Sequence, residues 1–257
     1  MRLLLITWNL AAPAAFLLLW ASGHWVAGLL VVVGGHGCAL IATLYPYCHW
    51  WGPQLTKFAT DRSEVWLTID DGPDPRDTPV ILEALAECGA RATFFVIGEK
   101  ARRHPDLIDS MLAQGHTVQN HTLTHPHLHF WRLGPNALAR EVLDGAEQVR
   151  SITGQSPALF RAPAGMKNCF LHPLLRRQSL HLVGWTVRGL DGVDTNPEAI
   201  VARIIRGVRP GAIILMHEGN RGKDGRSIAA QCIPRVLAEL TRRGYRFIIP
   251  DPADLQT

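Results

Sequence analysis

Hydrophobic positions fall into two regimes along this chain. Residues 3–20 and 25–45 carry no charged side chain, and only Ala21-Ser22-Gly23-His24 separates them. Each stretch is close to the ~20 apolar residues needed to cross a hydrocarbon core of ~30 Å. Tyr45, Tyr47, Trp50 and Trp51 follow, rings that suit a membrane interface. The pattern predicts two transmembrane helices, over about 3–20 and 25–45, forming a hairpin within residues 1–50. A cleaved signal peptide is the competing reading of the first segment, and the second apolar span directly behind it favours the hairpin. Arg2 precedes the hairpin, Lys57 and Arg62 follow it, and the short loop has neither Lys nor Arg. The positive-inside rule then predicts a multi-pass inner-membrane protein with the remainder of the chain in the cytoplasm.

Residues 51–62 are expected as a juxtamembrane linker. From residue 63 the period changes. Short β-rich runs at 65–70, 92–97, 117–120, 159–161, 181–186, 212–217 and 245–249 alternate with amphipathic runs at 78–88, 106–114, 135–153, 168–178, 197–207 and 227–243. Gly89, Gly115, Gly154 and Gly244 stand just past predicted last turns, where a left-handed residue is favoured. Seven strands alternating with helices predict an α/β domain over 63–257 with a mainly parallel sheet, closed or nearly closed.

Composition changes this picture little. The 257 residues include 26 basic and 22 acidic side chains, a net +4 that is too mild and dispersed to predict a nucleic-acid partner. Arg-Arg pairs at 102–103, 176–177 and 242–243 fall on predicted helices and read as solvated faces. The five cysteines form no C-x-x-C pair, which argues against a disulfide framework and fits a reducing compartment.

The polar clusters gather at the carboxyl ends of the predicted strands, the face on which barrels of this type build active sites. Asp70-Asp71 ends the first strand, His121 and His125 follow the third, Arg161 ends the fourth and His217 the sixth. Taken alone, Asp70-Asp71-Gly72-Pro73 is equally a turn. Beside two histidines four apart, expected to share one side of a helical turn, it becomes more. Two imidazoles and one carboxylate make the three-ligand set of a catalytic zinc-type site, and the second carboxylate is left as a base. Arg161 is placed to pair with the free carboxylate. His217 is available as a general acid, and Asp191 could bond its imidazole, with Asp194 a competing carboxylate.

In this order the segments resemble the NodB-homology polysaccharide deacetylases, carbohydrate esterase family 4. The T-F-D-D-G-P motif is similar to Thr68-Ile69-Asp70-Asp71-Gly72-Pro73, and H-[ST]-x-x-H to His121-Thr122-Leu123-Thr124-His125. R-x-P-[YF]-G resembles Arg161-Ala162-Pro163-Ala164-Gly165, and L-x-H is Leu215-Met216-His217. The resemblance implies a distorted (β/α)7-type barrel and metal-dependent N-deacetylation of an amino sugar. It implies Asp70 as base, Asp71, His121 and His125 as ligands of a divalent metal (most simply Zn2+), Arg161 orienting Asp70, and His217 as acid tuned by Asp191.

Two departures from the family pattern matter: Ala164 replaces the usual aromatic residue, which keeps the backbone donor but removes a wall of the sugar site, and Asp191-Gly192 stands where Asp-Trp is usual, which removes a ring from the acyl pocket. An altered acyl pocket extends the expected chemistry to formyl as well as acetyl groups. The expected substrate is an N-acylated amino-sugar glycan or a lipid-linked precursor. Hydrolysis of a cyclic amide by an allantoinase-like relative is disfavoured by the hairpin. A silent carbohydrate-binding barrel is disfavoured because both Asp70 and His217 are present.

Overall fold

The computed structural model describes residues 1–251 and Leu255; the remaining residues of the expected 63–257 domain lie outside the described residues. Two helices, α1 (Arg2–Ala21) and α2 (Trp25–Leu44), come first. Both are long and apolar enough to cross a membrane. They are fitted to each other: Trp8 Nε1 donates to Val31 O at 3.2 Å, and Asn9 Nδ2 to Gly35 O at 3.4 Å. Gly35 is required there, since a Cβ at that position would collide with the Trp8 indole.

The rest is a parallel (β/α) half-barrel. Its strands are β1 (Glu64–Gly72), β2 (Ala92–Val96), β3 (Thr117–Asn120), β4 (Leu159–Phe160), β5 (His181–Leu182), β6 (Val187–Arg188), β7 (Ala212–His217) and β8 (Arg246–Phe247), ordered β5-β4-β3-β2-β1-β7-β6 with β8 beside β1. The helices α3 (Thr78–Glu87), α4 (Gly98–Arg103), α5 (Pro105–Ala113), α6 (Pro135–Thr153), α7 (Leu171–Arg177), α8 (Pro197–Gly207) and α9 (Ile228–Arg242) connect them.

The two-residue period of the strands sorts their side chains. Val65, Leu67 and Ile69 of β1 join Phe94, Val96, Ile214 and Met216 in the core beneath the helices. Trp66 on the opposite face joins Phe95, Leu159, Val183 and Ile213 inside the barrel. Thr68 and Asp70 continue that inward face, and β1–β7 register sets Asp70 beside His217. With both faces buried, the body of β1 from Val65 to Ile69 is apolar but for Thr68, as the sequence suggested.

The sheet differs from expectation at its seam. The run 181–186 is not one strand; residues 183–186 leave the ladder between β5 and β6. The segment expected as a linker lies along that gap: Leu55 N donates to Leu182 O at 2.9 Å, and Gly184 N to Leu55 O at 2.6 Å. Leu55 and Phe58 enter the barrel core. Lys167 clasps the same segment to the hairpin exit. It is fully buried, and its ammonium donates to Pro46 O at 2.7 Å and Gln54 Oε1 at 3.0 Å.

Candidate active site

Asp70, Asp71, His121, His125 and His217 line one cavity of about 600 Å3 at the carboxyl ends of the strands. Adjacent residues on a strand face opposite ways, yet both aspartates reach it. The β1–β2 register shifts between Asp70 and Gly72, and Asp71 adopts a left-handed backbone at φ 71°. The irregular residue re-aims its side chain toward the cavity.

The two histidines are not on a helical turn, contrary to expectation. His121 continues the inward alternation of Thr117 and Gln119, and the chain then loops back with left-handed Thr122 and His125. This loop is held from several sides. Gly98 N donates to Thr122 O at 2.9 Å, Glu141 accepts from Thr124 N at 2.9 Å and from its hydroxyl at 2.7 Å, and His125 N donates to Thr122 Oγ1 at 3.0 Å. Gly145 of α6 lets the loop pack close, because a Cβ there would lie 2.6 Å from Asn120 Oδ1. The imidazole centroids end 4.8 Å apart.

Asp71 Oδ1 lies 3.4 Å from His121 Nε2 and 3.2 Å from His125 Nε2, and it is buried without a hydrogen-bond partner. The ligand atoms of these three residues all fall within 4.8 Å of one another. His121 Nδ1 is engaged by Arg161 O at 2.8 Å, which leaves Nε2 for the cavity. Burial, with the neighbouring His121, pushes the His125 imidazole down to about 3, keeping it neutral. Burial alone would raise the Asp71 carboxyl, but His121 and His125 hold it well below the usual carboxylate range. Two imidazoles around an ionised, unpartnered carboxylate form the donor set a divalent cation requires, so the residues fit one.

Asp70 is held differently. Its Oδ1 accepts from Arg161 NH1 at 2.7 Å, and the same nitrogen donates to Thr68 Oγ1 at 2.7 Å. Arg161 is fully buried, donates further to Gly184 O at 2.8 Å, and stacks over Phe95 at 4.2 Å. His217 is held from behind by Asp191: Nδ1 meets Oδ1 at 3.1 Å, and the His217 N–H donates to Oδ2 at 2.6 Å. Burial opposes a charged His217, yet Asp191, with Asp71 and Asp70 beyond, lifts it to about 9. Asp194 instead pairs with Arg203 at 2.7 Å, so of the two carboxylates considered, Asp191 is the one on His217.

Of the lining residues not singled out from the sequence, four bear on the chemistry. Lys100 of α4 donates to Asp71 O at 2.7 Å. Trp185 supplies an indole to the cavity wall, so the ring absent at Gly192 is not the sole source of an aromatic surface. Arg188 lies over that indole at 5.5 Å. Glu218, next to His217, accepts from Thr78 Oγ1 at 2.5 Å and from Asp74 N at 2.9 Å. No spacing rule marks these positions; they become visible only once the loops are placed.

Burial, with Asp77 and Asp74 nearby, pushes the Glu218 carboxyl up to about 8 against the hydrogen bonds from Thr78 and Asp74 that favour its anion. A raised carboxyl binds its proton more tightly folded than unfolded, so this contribution is complete below the unfolded value and is lost as pH rises toward 8. Thermal unfolding is therefore expected at lower temperature at about pH 8.5 than at about pH 5, and Glu218→Gln should reduce that difference. An unchanged difference in the variant would remove Glu218 as its source.

Residues 57–182 match the polysaccharide deacetylase family. A chitooligosaccharide deacetylase of Bradyrhizobium sp. (strain ANU 289) is 37% identical over 187 residues, covering 72% of this chain and 83% of that protein. A peptidoglycan-N-acetylglucosamine deacetylase of Bacillus cereus is 34% identical over 184 residues, 71% of this chain and 84% of the other. Among solved structures, the family 4 carbohydrate esterase from Streptomyces lividans in complex with acetate superposes with a TM-score of 0.66 at 32% identity, over 76% of this chain and 96% of that one. The fold and site define a hydrolase of linear amide bonds, and the chain belongs to the polysaccharide deacetylase family, the NodB-homology group of carbohydrate esterase family 4.

Proposed function

We propose that this protein is a membrane-tethered, metal-dependent deacetylase that removes the N-acetyl group from an amino sugar of a glycan or a lipid-linked precursor. The observation that carries the reading is a carboxylate and an imidazole facing one cavity, each fixed by its own buried partner: Asp70 by Arg161 and His217 by Asp191. Asp71, His121 and His125 would hold the divalent cation, and two imidazoles with one carboxylate suit zinc. When bound, such a cation supplies Lewis acidity to the amide carbonyl and the attacking water.

The remaining work belongs to side chains. Asp70 takes the proton of the water, and Arg161 keeps that carboxylate aimed until then. His217, held protonated by Asp191, gives its proton to the departing amine. The backbone at Ala164, on the cavity wall, offers an N–H to the developing oxyanion. Trp185 and Leu215 give the acyl methyl an apolar wall.

Purified protein incubated with N-acetylated chitooligosaccharide, and separately with a lipid-linked N-acetylglucosamine, is expected to release acetate. Release of formate from formylated analogues alone would reassign the acyl group, and release of neither would end the reading. His125→Ala is expected to lose most of the bound metal, measured by elemental analysis of the purified variant. Full retention would remove it from the ligand set.

The hairpin reading is supported by the mutual fit of α1 and α2 at Trp8 and Gly35, and by Arg2 Nε donating to Cys169 O at 3.2 Å. Both ends of the hairpin then meet the barrel on one side of the membrane, the cytoplasmic side by the distribution of Arg2, Lys57 and Arg62. A cytoplasm-dependent reporter fused at the C-terminus is expected to be active; activity from a periplasm-dependent reporter would reverse the orientation.

A further inference from the structure

A second cavity, of about 500 Å3, opens where the hairpin meets the barrel, and Arg2, Trp51, Gly52, His172, Arg176 and Arg177 line it. None of the six is acidic. The three arginine pairs of the sequence behave differently here. Arg103 meets Glu99 at 3.1 Å, and Arg242 and Arg243 both meet Glu239 at 2.8 Å. Among the described residues, Arg176 and Arg177 have no ion pair and no side-chain hydrogen bond, and Arg2 has only the contact through Nε. Arg176 and Arg177 are exposed to solvent, and what sets them apart from Arg103, Arg242 and Arg243 is that no carboxylate among the described residues pairs with them.

His172 gives an independent sign of a missing partner. Its side chain is packed under Gly52, where a Cβ would lie 2.6 Å from Nδ1, and only 7% of the residue is exposed. Its Nε2 is buried without a hydrogen-bond partner. A buried polar atom left unpaired is costly, so such atoms are normally satisfied by something. Burial, with Lys167, Arg2 and His49 adding positive charge, pushes this imidazole down to about 4. The corner is thus a concentration of cations around an unsatisfied ring nitrogen, with no carboxylate to balance it.

The position of the cavity narrows the anion. Arg2 opens the first apolar helix, and Trp51 follows the second. Phe170, solvent-exposed and next but one to the lining residue His172, is linked through Asn168 to the loop of exposed Trp131: Asn168 donates to Trp131 O at 3.3 Å and accepts from Phe170 N at 3.0 Å. Aromatic and basic side chains in this combination belong at the headgroup layer. We propose that this cavity binds the phosphate group of a membrane lipid, through Arg2, Arg176, Arg177 and the His172 Nε2. It lies apart from the cavity that holds Asp70 and His217, and it shares no lining residue with it. The lipid source rests on the hairpin reading above, whereas recognition of phosphate rests on the side chains alone.

Full-length protein in detergent micelles, titrated calorimetrically with dioctanoyl phosphatidic acid, is expected to bind it saturably at one site. Dioctanoyl phosphatidylcholine, with its phosphate masked by choline, should bind more weakly, and inorganic phosphate should compete. R176Q/R177Q, at exposed positions, is expected to bind phosphatidic acid about tenfold or more weakly through loss of two charge-assisted contacts, while H172Q tests the buried donor separately. The same double variant should release acetate from a soluble chitooligosaccharide at the wild-type rate. Asp71→Asn should leave phosphatidic acid binding intact, which separates this site from a metal in the other cavity. Saturable binding of inorganic phosphate with none of phosphatidic acid would overturn the lipid assignment. Absence of saturable binding, or equal binding by R176Q/R177Q, would overturn the site itself.

Discussion

Asp70→Asn is expected to lower kcat by about 10²–10⁴, the range over which a positioned general base contributes, while leaving bound metal and KM close to wild type. The separation follows from geometry. Asp71 Oδ1 is the carboxylate oxygen nearest both imidazoles, whereas Asp70 Oδ2 stands 3.8 Å from His121 Nε2 and Asp70 Oδ1 is occupied by Arg161. Asn keeps the shape and an oxygen for Arg161 but cannot accept a proton from water. Elemental analysis and steady-state kinetics on the same preparation decide the matter. Loss of metal together with loss of rate would place Asp70 in the ligand set, and a near-normal rate would mean that another group takes the proton.

The same pair of aspartates shows how far sequence reasoning reaches. The inward face of β1 was legible, because an apolar run buried on both sides must place alternate residues inside, and Asp70 lies in phase with Trp66 and Thr68. Helices α6 and α8 and strands β3 and β7 begin and end where their apolar period and flanking residues indicate; Gly154, left-handed at φ 72°, closes α6. The direction of Asp71 was not legible from strand period, because a register shift overrides it at that residue.

Nor was the route by which the two histidines meet. The i, i+4 spacing suggested a helical turn, but the pairing comes from a loop braced by Glu141 and by the start of α4. That helix is itself only six residues long and opens on glycine, too short to give a period. The seam is a third case. The segment around Leu55 has one bridge to Val183 and another from Lys57 to Ala212, long-range pairings that no local pattern announces. What was read correctly depended on repetition along the chain. What was missed depended on single residues meeting across it.

Arg161→Gln is expected to destabilise the fold by about 3–5 kcal/mol, the cost of leaving a buried charge without its partner. Asp70 is 2% exposed and Arg161 fully buried, so the pair has little water to replace either member. Arg161 also ties β1 to the segments that follow β3 and β5: it donates to Thr68 and Asp70 on β1 and to the carbonyls of Val183 and Gly184 beyond β5, while its own carbonyl engages His121. Its loss thus strands a carboxylate and two main-chain acceptors at once. Adding Asp70→Asn removes the charge but not the acceptors, so the double variant should recover part of the loss and remain below wild type. The urea-unfolding free energies of the wild type, both single variants and the double variant form a cycle whose coupling measures the ion pair itself. If Arg161→Gln costs under about 1 kcal/mol and Asp70→Asn adds to it independently, water in the cavity is solvating Asp70. The aspartate would then not owe its aim to Arg161.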